Sequence, residues 1–231
     1  MPSPKIIRTT EHPAEGFRTV AVPGATGRPA RVYLPTDYQT KYSYPLVVLF
    51  HADGEDEDRT ARLVPQLSRR NYIVLCLRGP VNVGARADGR PAFGWSGKVD
   101  AGARRAIAHV AKRFSVHAGR VFLVGVGDGA TAAYRLGQEM GDRAAGLVLL
   151  NGRLPKGRVR ANSLRVLVSH GSANPVLPAR EARRTATALT RAGAAVQSAR
   201  YATAARVSPD MLADANRWIM AQVMGKAVFG A

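Results

Sequence analysis

Four short apolar runs constrain this chain more than any other feature. "YPLVVLF" (44–50), "YIVLCL" (72–77), "VFLVGV" (121–126) and "GLVLL" (146–150) have the length of strands, not of helices. They lack the alternation of a sheet with one wet face, so the strands are expected to be buried on both faces. Segments with helical spacing lie between them, at 56–70 (interrupted at Pro65), 98–114, 129–140, 178–192 and 208–224. Further strands are expected at 17–23, 30–35, 164–171 and 196–202. Residues 79–97 read as a long glycine-rich connection carrying Phe93 and Trp95. Strands alternating with helices predict an α/β fold with a mostly parallel sheet of about eight strands, covered by helices on both faces.

The 231 residues suit one such domain, and no internal repeat divides it. Residues 1–16 are polar and are expected to be a flexible N-terminal segment, with the domain spanning 17–231. No apolar run reaches the roughly 20 residues of a membrane span. "MPSPKIIRTTEHPAEG" has no apolar signal core, so a cytoplasmic location is expected. Cys76 is the single cysteine, so an intramolecular disulfide is excluded. No Cys/His spacing fits zinc, and no metal or cofactor is expected. The acidic run "DGEDED" (53–58) lacks the calcium-loop pattern and precedes a helix, where carboxylates meet the positive end of the dipole.

The net charge is +18, carried by 28 arginines and six lysines. Such a balance raises nucleic acid as a partner. The arginines are dispersed, however, and no zinc finger or RNP-type aromatic motif accompanies them. A solvated arginine-rich surface is the simpler expectation.

The chemistry concentrates in "RVFLVGVGDGATAA" (120–133), a buried strand, a glycine-packed turn and a helix. One interpretation is a dinucleotide fingerprint, because Gly-x-Gly-x-x-Ala falls between strand and helix. The acidic residue expected about 20 positions later is missing, since "LVLLNG" ends in Asn151 with Arg153 beyond it. The other interpretation is a nucleophile elbow. "PLVVLFHADG", "LRGP" with "GWSG", "RVFLVGVGDGATAA", "VLVSHGSANPVLP" and "YATAARVSPDMLADANRWIM" occur in the order of one enzyme group. Over residues 17–224 the chain resembles the α/β-hydrolases of the phospholipase/carboxylesterase family, which includes acyl-protein thioesterase-like enzymes.

That resemblance implies a three-layer sandwich and hydrolysis of carboxylic esters or thioesters by a serine, an acid and a histidine, in that order. At the matching positions this chain carries Gly127, Asn174 and Ala205. Glycine has no Oγ, and alanine accepts no proton. An amide in place of the acid costs about 10⁴ in rate in serine proteases. The resemblance therefore implies a degenerate triad and a binding or scaffolding role. Asp53 and Asp128 occupy the oxyanion-loop positions, where carboxylates facing the pocket would oppose a developing oxyanion and carboxylates facing solvent would not. A rescue by Asp128 as an aspartate nucleophile needs it at the apex of the turn, with a histidine in reach. Otherwise Gly127 takes the apex and Asp128 opens the helix, its carboxylate at the helix N-terminus. His51, Trp95, Ser96 and His170 are the expected pocket neighbours, with both imidazoles hydrogen-bonded locally at strand ends. His109 and His117 are expected on helix and loop surfaces. Loss of two side chains, at 127 and 205, leaves a roomier pocket unless neighbours fill it.

Overall fold

The computed structural model describes residues 16–22, 28–96, 98–161 and 163–225. All but the last residue of the expected N-terminal segment lies outside the described residues.

The described residues form ten strands and six α-helices, in the expected order apart from two strands within 79–97 and a division of the segment 56–70 into two helices. They are β1 (Gly16–Ala21), β2 (Pro29–Leu34), β3 (Tyr44–Phe50), α1 (Glu57–Ala61), α2 (Val64–Leu67), β4 (Ile73–Leu77), β5 (Val81–Ala85) and β6 (Pro91–Gly94). Then come α3 (Ala101–Arg113), β7 (Val116–Val126), α4 (Gly129–Met140), β8 (Ala144–Leu150), β9 (Arg165–Gly171), α5 (Ala179–Arg191), β10 (Ala195–Tyr201) and α6 (Pro209–Met224). Eight strands form one sheet in the order β1-β2-β4-β3-β7-β8-β9-β10. β2 runs antiparallel to both β1 and β4, and the remaining pairs are parallel.

The four apolar runs supply β3, β4, β7 and β8, the four central strands. Their lack of alternation is explained by two cores. On one face Val48, Phe50, Leu75, Leu123 and Leu149 pack under α3 and α4. On the other Val47, Leu49, Val74, Val124 and Val148 pack under α2 and α6, with Trp218 against Phe122. Successive residues point to opposite faces, so both parities must be apolar.

Two expectations need correction. Residues 81–94 are a β-hairpin, β5 pairing antiparallel with β6, and not an unstructured connection. Val81, Asn82 and Val83 do alternate, but the strand is short, broken by Gly84 and exposed throughout. β7 starts at Val116, so His117 lies on a strand and not in a loop.

Three acids of the run 53–58 pair with arginines. Asp56 caps α1 by accepting from the Arg59 amide and pairs with Arg86 at 2.8 Å. Glu57, nearly fully buried, takes both arms of Arg78 at 2.7 and 2.6 Å. Asp58 pairs with Arg31 at 2.6 Å and its carboxyl is held below its ordinary pKa, chiefly by that hydrogen bond. Three elements are thereby tied to one helix N-terminus. Among the described residues no three His, Cys, Asp or Glu side chains gather to hold a metal ion. No helix among them is long and apolar enough to cross a membrane.

Candidate functional site

In open parallel sheets the carboxyl ends of the strands are where ligands meet the protein. Here His51 follows β3, Gly127 and Asp128 follow β7, Asn151 follows β8, Asn174 follows β9, and Ala205 follows β10.

The turn after β7 is built by steric exclusion. A methyl on Gly125 would strike the backbone of Ala130, and one on Gly129 would strike the carbonyls of Phe50 and His51. These contacts let α4 close down on β3 and β7, and they fix both flanks as glycine. Gly127 lies between them at φ +54, so it occupies the apex. Asp128 has ordinary right-handed backbone angles and the N-cap position of α4. Its carboxylate makes no cap hydrogen bond to the α4 amides. It stands 47% exposed, 3.5 Å from the Arg153 guanidinium. An arginine on a flexible side chain meets the carboxylate where water is plentiful, and the α4 amides go without it.

The vacated space at the apex is not empty. A Cβ on Gly127 would lie 3.1 Å from the Cβ of Ala52. Ala52 fills part of what Gly127 leaves, so the expected roomier pocket is reduced at this point.

Asn151 links the other two triad-equivalent positions to the elbow. It sits at φ +50, a conformation that asparagine tolerates better than most residues. Its side-chain oxygen accepts from the Gly171 amide at 2.8 Å, and its Nδ2 donates to the Ala205 carbonyl at 2.9 Å. Its own amide donates to Ser169, while the Gly127 amide donates to Leu150. Gly171 in turn accepts from the Asn174 amide at 3.2 Å. Positions 127, 174 and 205 are thus gathered around one buried amide. Sequence reasoning placed Asn151 only as a strand end. Its φ and its partners come from three separate segments and leave no local pattern.

Asn174 turns its side chain onto its own loop, where Oδ1 accepts from the Val176 and Leu177 amides, each at 3.0 Å. Ala205 is exposed. Neither contributes a group able to move a proton.

A cleft of about 820 Å³ opens beside the elbow. Asp53, Trp95, Ser96 and Asp128 line it, with Arg135, Arg153, Lys156 and Arg184 among the facing residues. Gly127, Asn174 and Ala205 are not among its lining residues. Both oxyanion-loop carboxylates therefore border the cleft. The Asp53 carboxyl is raised above its ordinary pKa by burial first and by the Asp128 charge second. Among the described residues, neither the Asp53 nor the Asp128 amide pairs with a backbone carbonyl.

His51 is structural in its contacts. Its Nδ1 lies 2.7 Å from the Ala52 carbonyl and its Nε2 accepts from the Gly79 amide at 2.8 Å, which fixes a neutral ring. Burial pushes its pKa down to about 4. Trp95 lies against this ring at 4.9 Å and donates Nε1 to the His51 carbonyl at 2.8 Å. Ser96 directs its hydroxyl to the Lys98 carbonyl at 3.4 Å. His170 departs from expectation, because neither ring nitrogen has a hydrogen-bond partner. Its ring lines a different cavity, between β9, β10 and α5.

The sheet order, the glycine-walled elbow after the central strand and the two-sided helical cover define an α/β-hydrolase fold. The Phospholipase/Carboxylesterase family profile matches residues 98–223, over half of the sequence, and the chain belongs to that family. Solved structures with the same fold include a carboxylesterase from Mesorhizobium loti (TM-score 0.68, 19% identity, covering 89% of this chain and 99% of that one). A carboxylesterase from Bacillus cereus (0.65, 17%, 85% and 95%) and acyl-protein thioesterase 2 from Zea mays (0.64, 21%, 84% and 98%) are also similar. No curated protein sequence matches the chain.

Proposed function

We propose that this protein is a pseudoenzyme of the family, which has given up acyl-enzyme chemistry and uses the cleft beside the elbow to bind a ligand or partner. The observation that carries this reading is Gly127 at the apex, with φ +54 and no side chain to attack a carbonyl. Asn174 and Ala205 add no acid and no base at the matching positions. The placement of Asp128 speaks against its use as a nucleophile: it stands beside the apex and not on it, at the N-cap of α4, with its carboxylate 3.5 Å from the Arg153 guanidinium.

The test is direct. The purified protein should release no p-nitrophenol from short acyl esters above a denatured control. A fluorophosphonate probe should leave it unlabelled. Stoichiometric labelling of any serine would overturn the proposal, with Ser96 the first residue to map.

A further inference from the structure

His170 is 3% exposed and neither of its ring nitrogens has a hydrogen-bond partner. An imidazole always carries one donor or more, and each buried polar atom left unpaired costs about 1–3 kcal/mol. The ring also lines a cavity of about 390 Å³, in the range of small-molecule sites. A half-turn about χ2 exchanges Nδ1 with Cδ2 and Nε2 with Cε1 while keeping the outline of the ring, so the nitrogens can take either pair of edge positions without moving the neighbours.

The remaining walls define what fits. Val168 on β9 and Ala179, Ala182 and Ala186 on α5 make an apolar lining, with Ser198 on β10 and Thr187 on α5 beside it. Two guanidiniums, Arg183 on α5 and Arg200 on β10, border it, and no carboxylate does. No ion pair joins either arginine to another described residue, although other arginines of the chain are paired. α5 begins at Ala179, on the cavity wall, with no side chain capping its first amides. Unpaired cations and the positive end of a helix dipole favour an anion, and the alanine walls favour a hydrocarbon body. This cavity is distinct from the elbow cleft, which α5 borders through Glu181, Arg184, Thr185 and Ala188.

We propose that the cavity between α5 and the β9–β10 edge binds a small monocarboxylic acid with an apolar body. Arg183, Arg200 and the turned His170 ring hold the carboxylate, and the alanines hold the chain. The site is independent of the state of the elbow.

Octanoate below its micellar concentration is the probe, followed by calorimetry and by the imidazole resonances of His170 in the full-length protein. Octanoate should bind and shift those resonances. Arg183→Gln and Arg200→Gln, both at exposed positions that leave the core intact, should each weaken binding about tenfold. Arg153→Gln, in the elbow cleft, should leave affinity unchanged. Octan-1-ol should bind at least about tenfold more weakly than octanoate. Four results would each overturn the proposal. They are no octanoate binding, which leaves a water-filled cavity; equal binding of the alcohol; loss of binding in Arg153→Gln but not in the other two; and a His170 response to inorganic phosphate but not to octanoate.

Discussion

Restoring the missing serine should destabilise the protein, and by an amount that depends on Ala52. Gly127 has φ +54, where an L-residue costs about 1–2 kcal/mol more than glycine. Its new Cβ would meet the Ala52 methyl at 3.1 Å, closer than two methyl carbons settle, and relieving such crowding costs about 1 kcal/mol. Gly127→Ser should therefore lose about 2–3 kcal/mol, or a Tm drop of roughly 4–12 °C for a chain of this size. In an Ala52→Gly background the steric part disappears and the φ part remains. The double-mutant cycle should show a favourable coupling of about 1 kcal/mol. Urea unfolding of the four proteins at pH 7.5 reads it out. A Gly127→Ser variant within about 0.5 kcal/mol of the parent would refute the assignment of Gly127 to the strained apex. Zero coupling would refute the role given to Ala52. The same arithmetic bears on rebuilding the triad. Gly127→Ser, Asn174→Asp and Ala205→His combined should yield some esterase activity, and more when Ala52→Gly relieves the crowding. Position 205 is exposed and has room for a histidine, and Asn174→Asp keeps the acceptor oxygen that holds its loop.

Three other outcomes are expected. Asn151→Gly should destabilise by about 1–3 kcal/mol through its lost hydrogen bonds, and Asn151→Ala by about 1 kcal/mol more because of its φ, both read by urea melts. His51 is buried and held neutral, with its pKa pushed to about 4 from an ordinary 6.5. Its contribution is full above pH 6.5 and is lost as the pH falls from there toward 4, by about 3 kcal/mol in total. His170, also lowered by burial, adds loss of the same sign. Unfolding curves between pH 7.5 and 4.5 should show the fall, and a His51→Asn variant should show a shallower one. If the +18 charge serves nucleic acid, gel-shift affinity should drop by orders of magnitude between 50 and 200 mM salt. No shift at 50 mM would remove nucleic acid as a partner.

The sequence by itself determined the sheet. Strand length, two-sided apolarity and helical spacing are local properties, so β3, β4, β7 and β8 and the helices between them were legible within a few residues. The elbow was legible too, as a buried strand, a glycine-packed turn and a helix in one short stretch, although only the clash that requires Gly125 is local and the carbonyls that require Gly129 belong to Phe50 and His51. What sequence could not settle were contacts between distant segments. Whether Asp53 and Asp128 border the cleft depends on how the chain after β3 meets the start of α4. The pairing of Asp128 with Arg153 in place of the α4 amides, and the filling of the apex by Ala52, depend on side chains brought together only by the folded sheet. The unpaired ring of His170 is the sharpest case. A histidine at a strand end ordinarily finds a carbonyl nearby. Here both ring nitrogens lack a partner and the residue lines a cavity shared with the alanines of α5, an arrangement of separate elements that no local pattern encodes.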